Sequence, residues 1–214
     1  MEGFLRHALL RRFLVLLIVG LVFSVSCKKE ETASRQEPTG RVVNPYSSES
    51  VFEELKKKLQ ENPDDADALY HLADLYDRNA QYREAIDAYQ KVIRLKPDMG
   101  YAYLKMGTAY DRIDQPKEAI NAFRKAIRYM PNYAVAYNNL AVAHGKLGNY
   151  DEEISALQKA IALRPSYTAA RYNLGVTYLR KGNRKAALRE CESLKKFDEG
   201  AAESLMKEIK KGSS

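Results

Sequence analysis

Residues 97–131, PDMGYAYLKMGTAYDRIDQPKEAINAFRKAIRYMP, contain one complete unit of a repeat that runs through most of the chain. The clearest sign of this repeat is a row of prolines, each 34 residues from the next: Pro63, Pro97, Pro131 and Pro165. Proline lacks the amide donor that a helix needs and clashes with the preceding turn, so each proline marks a place where a helix has ended. The regular spacing predicts a chain built from repeated helical units.

Two further rows of side chains keep the same 34-residue spacing. The small residues of the first row are Ala73, Gly107, Ala141 and Gly175, and the ring-bearing residues of the second are Tyr76, Tyr110, His144 and Tyr178. Small residues let two antiparallel helices approach closely, while the rings fill the gap against the next helix pair. Two positions depart from the pattern: Glu153 occupies a small slot, and Arg171 a large apolar one.

These rows resemble the W-x2-L-G-x2-Y…A-x3-F…P pattern of the tetratricopeptide repeat, over about residues 50–210. The resemblance implies an all-α fold, a right-handed alpha solenoid of stacked antiparallel helix pairs. We place four repeats at 66–99, 100–133, 134–167 and 168–199. A capping box at Ser50–Glu53 predicts an N-terminal half-repeat helix within 49–65, and residues 200–211 are predicted to form a C-terminal cap helix.

The first 26 residues are typical of a secretory signal. Arg6, Arg11 and Arg12 precede an apolar run over 13–23, which is shorter than the roughly 20 residues needed to cross a bilayer. Ser26 directly before Cys27 resembles the cleavage box of bacterial lipoproteins, in which this cysteine becomes the lipidated first residue. An uncleaved N-terminal anchor helix and an ordinary signal peptide are the alternatives.

The polar segment 27–48 is predicted to be a flexible tether, since it shows no helical or strand period. Lys28 follows Cys27, whereas an aspartate at that place is the inner-membrane retention signal of bacterial lipoproteins. This favours an exported protein, lipid-anchored in the cell envelope on the outer membrane and facing the periplasm.

The resemblance also implies a binding groove, because in this family the first helices of successive repeats line a concave surface that receives peptides or partner helices. The residues that we predict to face this groove are Tyr70, His71, Tyr101, Lys105, Thr108, Asn138, Asn139, Tyr172 and Asn173. Asn139 and Asn173 occupy equivalent positions, and each amide both donates and accepts hydrogen bonds, which suits an extended chain. The alternative is that these asparagines are merely tolerated on a solvated face.

The sequence offers no pattern for catalysis, a cofactor or a metal. It contains no Gly-rich phosphate loop, HExxH, GxSxG or CxxC motif, and His71 has no second ligand at metal spacing. The net charge of +7 comes from basic residues interleaved with acidic ones, so no nucleic-acid surface is predicted. We therefore expect a non-enzymatic protein with no small-molecule substrate.

Together these features predict a membrane-tethered adaptor or assembly factor that binds a protein or peptide, expected to be an envelope component. The rival interpretation is a structural scaffold that associates with itself, either secreted or held by an uncleaved N-terminal helix.

Overall fold

The computed structural model describes residues 48–211, which form ten α-helices joined by short turns. Helix α1 spans Ser48–Glu61. The following helices are α2 (Ala66–Arg78), α3 (Tyr82–Leu95), α4 (Gly100–Arg112), α5 (Pro116–Tyr129), α6 (Ala134–Lys146), α7 (Tyr150–Leu163), α8 (Thr168–Arg180), α9 (Arg184–Leu194) and α10 (Glu199–Lys211). The predicted all-α repeat fold is confirmed, whereas the predicted signal, Cys27 and the predicted tether up to residue 47 lie outside the described residues.

The helices are arranged in four pairs, in which α2, α4, α6 and α8 come first and α3, α5, α7 and α9 come second. Each first helix contacts the first helix of the next pair, but the second helices of neighbouring pairs make no such contact within residues 48–211. The first helices therefore form the inner side of a curved stack. We call them the inner helices and their partners the outer helices.

The turn inside each pair uses a left-handed backbone conformation at one position. The residues there are Ala80 (φ 59°), Asp114 (φ 56°), Gly148 (φ 73°) and Gly182 (φ 73°), which are spaced 34 residues apart. Glycine adopts this conformation freely, while a side chain at Cβ makes it costly. Ala80 and Asp114 therefore adopt the turn geometry of the two glycines at a cost in stability.

In the first three pairs, a large buried side chain of the outer helix faces a small residue of the inner helix, whereas in the fourth pair the outer helix carries the smaller Cys191 and Gly175 faces Leu205 of α10. These outer-helix side chains are Tyr89, Phe123, Leu157 and Cys191, none of them more than 1% exposed. A Cβ added to Gly107 would lie 2.6 Å from a ring carbon of Phe123, so glycine is what allows this approach. Cys191 is inert packing, because burial raises the pKa of its thiol and its Sγ donates to the Ala202 carbonyl at 3.2 Å.

Both ends of the array carry an additional helix. Helix α1 packs on α2 through Leu55, and α10 packs on α8 and α9 through fully buried Leu205 and Ile209. The described core clusters lie wholly between residues 52 and 209, so a chain beginning at residue 28 contains all of them. No helix in the described range has the length and apolarity that crossing a bilayer requires.

The capping box predicted at Ser50–Glu53 was wrong. Helix α1 already begins at Ser48, so Ser50 lies within the first turn of the helix instead of serving as its cap. The C-terminal cap helix predicted at 200–211 is present as α10, which begins one residue earlier, at Glu199. The side chain of Asp198, just before this helix, accepts from the Ala201 amide.

Candidate functional site

The surface of the inner helices, which we call the groove face, carries most of the residues predicted to bind a partner. His71 is exposed on α2, and Lys105 and Thr108 are half-buried on α4. On α6, Asn139 is half-buried, whereas Asn138 is only 8% exposed. The predicted residues thus share one side of the array but differ in how much surface they offer.

Three of the predicted residues form a cluster of amides across α6 and α8. The Nδ2 of Asn173 donates to Oδ1 of Asn138 at 3.1 Å, and the Nδ2 of Asn138 donates to Oδ1 of Asn139 at 3.4 Å. Asn138 is therefore a structural link between neighbouring repeats. Asn139 keeps its Nδ2 donor and Asn173 keeps its Oδ1 acceptor free of other hydrogen bonds within residues 48–211.

The charged residues of the groove face are paired across neighbouring inner helices. Lys105 on α4 lies 2.7 Å from Asp74 on α2, and Lys146 on α6 lies 2.7 Å from Asp111 on α4. The hydrogen bond from Lys105 to Asp74 raises the pKa of the lysine and lowers that of the aspartate against the effect of burial. Lys105 was predicted to contact a partner, but its charge is already engaged within the fold.

In the third pair, the carboxylate comes from the outer helix. The inner helices of the first two pairs carry Asp77 and Asp111, whereas Gly145 occupies that position in the third. Glu153 fills the vacant space: it is 4% exposed, and a Cβ on Gly145 would lie 2.7 Å from its carboxylate oxygens. Burial raises the pKa of Glu153, opposed by hydrogen bonding to Thr177 and by the nearby charge of Arg180. The departure from the repeat pattern at Glu153 is thus coupled to the glycine at position 145.

Two shallow depressions lie between successive inner helices. The first, of about 420 Å³, is lined in part by Thr108, Asp111, Asn139 and Lys146. The second, of about 440 Å³, is lined in part by Glu153, Asn173 and Arg180, and shares Lys146 with the first. Each depression therefore has one of the two predicted asparagines in its wall. Thr108 donates its hydroxyl to the Leu104 carbonyl at 3.1 Å, which leaves its methyl group and oxygen lone pairs as contact surface.

The three predicted tyrosines differ in their surroundings. Tyr101 is 49% exposed and makes an edge-to-face contact with Tyr133 at 5.6 Å between ring centroids. Tyr70 is half-buried against Tyr89, and burial raises its pKa. Tyr172 packs against the core cluster of α9 and α10. Tyr101 is therefore the one of the three that offers most of its ring to a partner.

Sequence reasoning missed a row of cations that ends each inner helix: Arg78, Arg112, Lys146 and Arg180. Their 34-residue spacing was visible in the sequence and would have indicated them. His71 lies beside a depression of about 300 Å³ with Glu54 and Asp74, and no group of metal-ligating side chains occurs among the described residues.

Comparison with known proteins adds independent evidence about this architecture. The tetratricopeptide repeat model matches residues 104–168 and 146–202, and a model described as anaphase-promoting complex, cyclosome, subunit 3 matches residues 51–126. The chain belongs to the tetratricopeptide repeat family. Tetratricopeptide repeat proteins of known structure share its fold, and on this evidence the chain is a protein–protein interaction module.

Three solved structures illustrate the likeness. MamA is 27% identical, with a TM-score of 0.66 over 77% of this chain and 91% of that one. YrrB, described as a TPR protein with an unusual peptide-binding site, is 26% identical, with a TM-score of 0.67 over 75% and 84%. PilW, described as a type IV pilus biogenesis factor, is 20% identical with a TM-score of 0.67 over 77% and 78%, and shows the fold alone. Comparison with curated protein sequences gives no match.

Proposed function

We propose that this tetratricopeptide repeat protein is a membrane-tethered adaptor that binds an extended peptide or a partner helix along its groove face. The observation that carries this proposal is the pair of neighbouring depressions between the inner helices, each with one asparagine in its wall. Asn139 presents an amide donor and Asn173 a carbonyl acceptor. An extended backbone offers the matching groups, a carbonyl and an N–H, at regular intervals.

The balance of charge on the groove face favours recognition through amides and aromatic rings. Asp74 and Asp111 are each neutralised by a lysine of the next inner helix. Exposed Tyr101 adds a broad amphipathic surface of the kind enriched in protein interfaces. The structural relative YrrB, whose description names a peptide-binding site, supports a peptide as the ligand.

The membrane attachment is proposed from the sequence. Basic residues before the apolar run over 13–23, followed by Ser26 and Cys27, support export and lipidation at Cys27. Lys28 after the cysteine supports the outer membrane, with the repeat array facing the periplasm. The partner would then be a component of the cell envelope, and the protein would act by holding that partner in place without chemistry of its own.

The first experiment is a crosslinking pull-down from native membranes, with mass spectrometry of the captured proteins and of the bait's own N-terminus. The full-length chain is compared with a Cys27→Ala variant. We expect a lipidated N-terminus at Cys27 and one recurrent envelope protein. An unlipidated bait that captures only itself would refute the tethered adaptor and support the self-associating scaffold.

The second experiment tests the groove with the partner that the first identifies. Asn139→Ala and Asn173→Ala each remove about one hydrogen bond, worth about 1 kcal/mol, so the double variant is expected to bind roughly 30-fold more weakly. Asn121→Ala on outer helix α5 is the matched control, since this asparagine is exposed on the other side of the array. Unchanged affinity in a folded double variant would show that the asparagines do not hold the partner.

The stability of each variant must be measured alongside its affinity. Asn173 also donates to buried Asn138, so its removal deprives that side chain of a partner and costs about 1 kcal/mol of stability. Asn139→Asp preserves an acceptor for Asn138 but removes the Nδ2 donor that faces the groove. A loss of binding in Asn139→Asp with unchanged unfolding therefore isolates the contact with the partner.

A further inference from the structure

We propose that one edge of the helical array binds an anionic lipid surface. This basic edge consists of three segments, 91–98, 125–132 and 159–166, each formed by the end of an outer helix and the loop that follows it. The segments lie 34 residues apart and therefore occupy equivalent places in three consecutive repeats. The inference goes beyond the groove and requires neither a groove ligand nor the lipid anchor.

The charge of the basic edge is strongly one-sided. It contains seven cations, Lys91, Arg94, Lys96, Lys125, Arg128, Lys159 and Arg164, against the single carboxylate of Asp98, a net charge of +6. The first halves of the same outer helices, 82–89, 116–123 and 150–157, contain two cations and six carboxylates, a net charge of −4. The array therefore has a positive edge and an opposite negative edge.

Most of these cations are available to a ligand. Lys96 pairs with Asp67 at 2.7 Å, and the Arg164 guanidinium lies 3.7 Å from the centroid of the Tyr167 ring. The other five are exposed and have no ion-pair partner among the described residues. Asp64 and Asp65 stand in the loop before α2, so the acidic first loop limits the basic edge on that side.

The favourable interaction of cations with the helix dipole accounts for only part of this pattern. Cations near a helix C-terminus interact favourably with the helix dipole, but the effect falls off within the last turn. Lys91, Lys125 and Lys159 stand one turn earlier, each at the tenth position of a 14-residue helix. The dipole therefore does not account for these three lysines, and their exposed charges are available to an anionic partner.

Exposed apolar side chains at the same edge favour a lipid surface over an acidic protein. Leu95 and Tyr129 are equivalent residues of α3 and α5, each 38% exposed. The Tyr129 ring stacks on the ring of Tyr103, with 5.7 Å between the ring centroids, so the end of α5 lies beside the beginning of α4 at this edge. Tyrosines interleaved with lysine and arginine suit the headgroup level of a membrane, where the ring is buried and the hydroxyl remains wet.

The test uses a chain that lacks residues 1–27, which contains the described core but not Cys27. Its binding is measured by co-sedimentation with vesicles of 30% phosphatidylglycerol in phosphatidylcholine, and with vesicles of phosphatidylcholine alone. We expect binding to the anionic vesicles only, weakening steeply as salt rises. The variant Lys91→Gln, Lys125→Gln, Lys159→Gln is expected to bind roughly a hundredfold more weakly, because each cation near the surface contributes about fivefold.

The matched control is the variant Arg83→Gln, Lys117→Gln, Lys185→Gln, in which exposed cations near the start of outer helices lose the same charge. Arg83 and Lys117 lie eight residues before Lys91 and Lys125, which is about 12 Å closer to the N-termini of their helices. This separation exceeds the screening length at 0.1 M salt. The control is expected to bind vesicles like the parent chain, and both variants are expected to show unchanged urea unfolding.

Three results would overturn the proposal. The first is a parent chain that does not bind anionic vesicles at low salt. The second is equal weakening by the two variants, which would show that overall charge is responsible. The third is binding of polyglutamate, but not of vesicles, that depends on Lys91, Lys125 and Lys159, which would assign the edge to an acidic protein. None of these outcomes bears on the groove or the anchor, because the measurement contains no groove ligand and the chain lacks Cys27.

Discussion

The close contact between Gly107 and Phe123 gives the sharpest test of how the repeats are packed. A methyl group at residue 107 would lie 2.6 Å from a ring carbon of Phe123, about 1 Å inside ordinary contact, and the Phe123 side chain is only 1% exposed. Overpacking of this kind costs about 1–3 kcal/mol. Alanine in a helix interior gains about 1 kcal/mol over glycine. Gly107→Ala should therefore destabilise the protein by up to about 2 kcal/mol.

The same substitution should have the opposite sign when Phe123 is replaced by leucine. The third repeat already combines Ala141 with Leu157 in one core cluster, so this pair of residues is compatible with the fold. In the Phe123→Leu background, Gly107→Ala should be neutral or stabilising by up to about 1 kcal/mol. The expected coupling energy is thus about 2 kcal/mol.

Urea unfolding followed by circular dichroism at 222 nm measures both effects. Gly200→Ala serves as the control, because a Cβ there would lie 3.6 Å from its nearest neighbour and its effect should not depend on Phe123. If Gly107→Ala changes the free energy of unfolding by the same amount in both backgrounds, within about 0.5 kcal/mol, the packing argument is refuted.

Three further substitutions test single features of the fold. Ala80→Gly should stabilise the protein by about 0.5–1 kcal/mol in thermal or urea unfolding, because the φ of 59° strains a residue with a Cβ. Glu153→Gln should stabilise the protein at neutral pH, with a gain that vanishes at low pH. Burial raises the pKa of Glu153 in the folded state, so the free energy of unfolding of the wild type falls as pH rises from the pKa in the unfolded chain through the pKa in the folded state. Arg171→Ala should cost about 1–2 kcal/mol, since Glu190, whose side chain is 18% exposed, loses its partner at 3.3 Å; replacing both residues should cost less than the sum.

The sequence predicted those features of the fold for which the same constraint on the backbone or the core recurs every 34 residues. Pro97 and Pro131 lie two residues after the last residues of α3 and α5, and the row containing Phe123 is buried, because helix termination and close packing allow few residue types at these positions. The start of α1 was misplaced at Ser50 because a Ser-x-x-Glu pattern looks the same inside a helix as at its end.

Contacts across neighbouring repeats could not be predicted in this way. Asn138 was expected to face a partner, but it is buried, and its side chain accepts a hydrogen bond from Asn173, 35 residues away. The third pair likewise has outer-helix Glu153 in place of an inner-helix aspartate, and this replacement depends on the space left by Gly145. Such contacts are set by side-chain rotamers and by the distance between helices, which repeat spacing alone does not fix.

The two proposed surfaces differ in how their charges are used. On the groove face, Lys105 and Lys146 are each held within 2.7 Å of an aspartate, so a ligand gains little from their charge and must be recognised by amides and rings. On the basic edge, Lys125 and Lys159 have no ion-pair partner in the described part of the chain. Salt screens unpaired exposed charges far more than neutral hydrogen bonds. A protein that lies on a membrane through one edge can therefore lose that contact with rising salt while it still holds a partner in its groove.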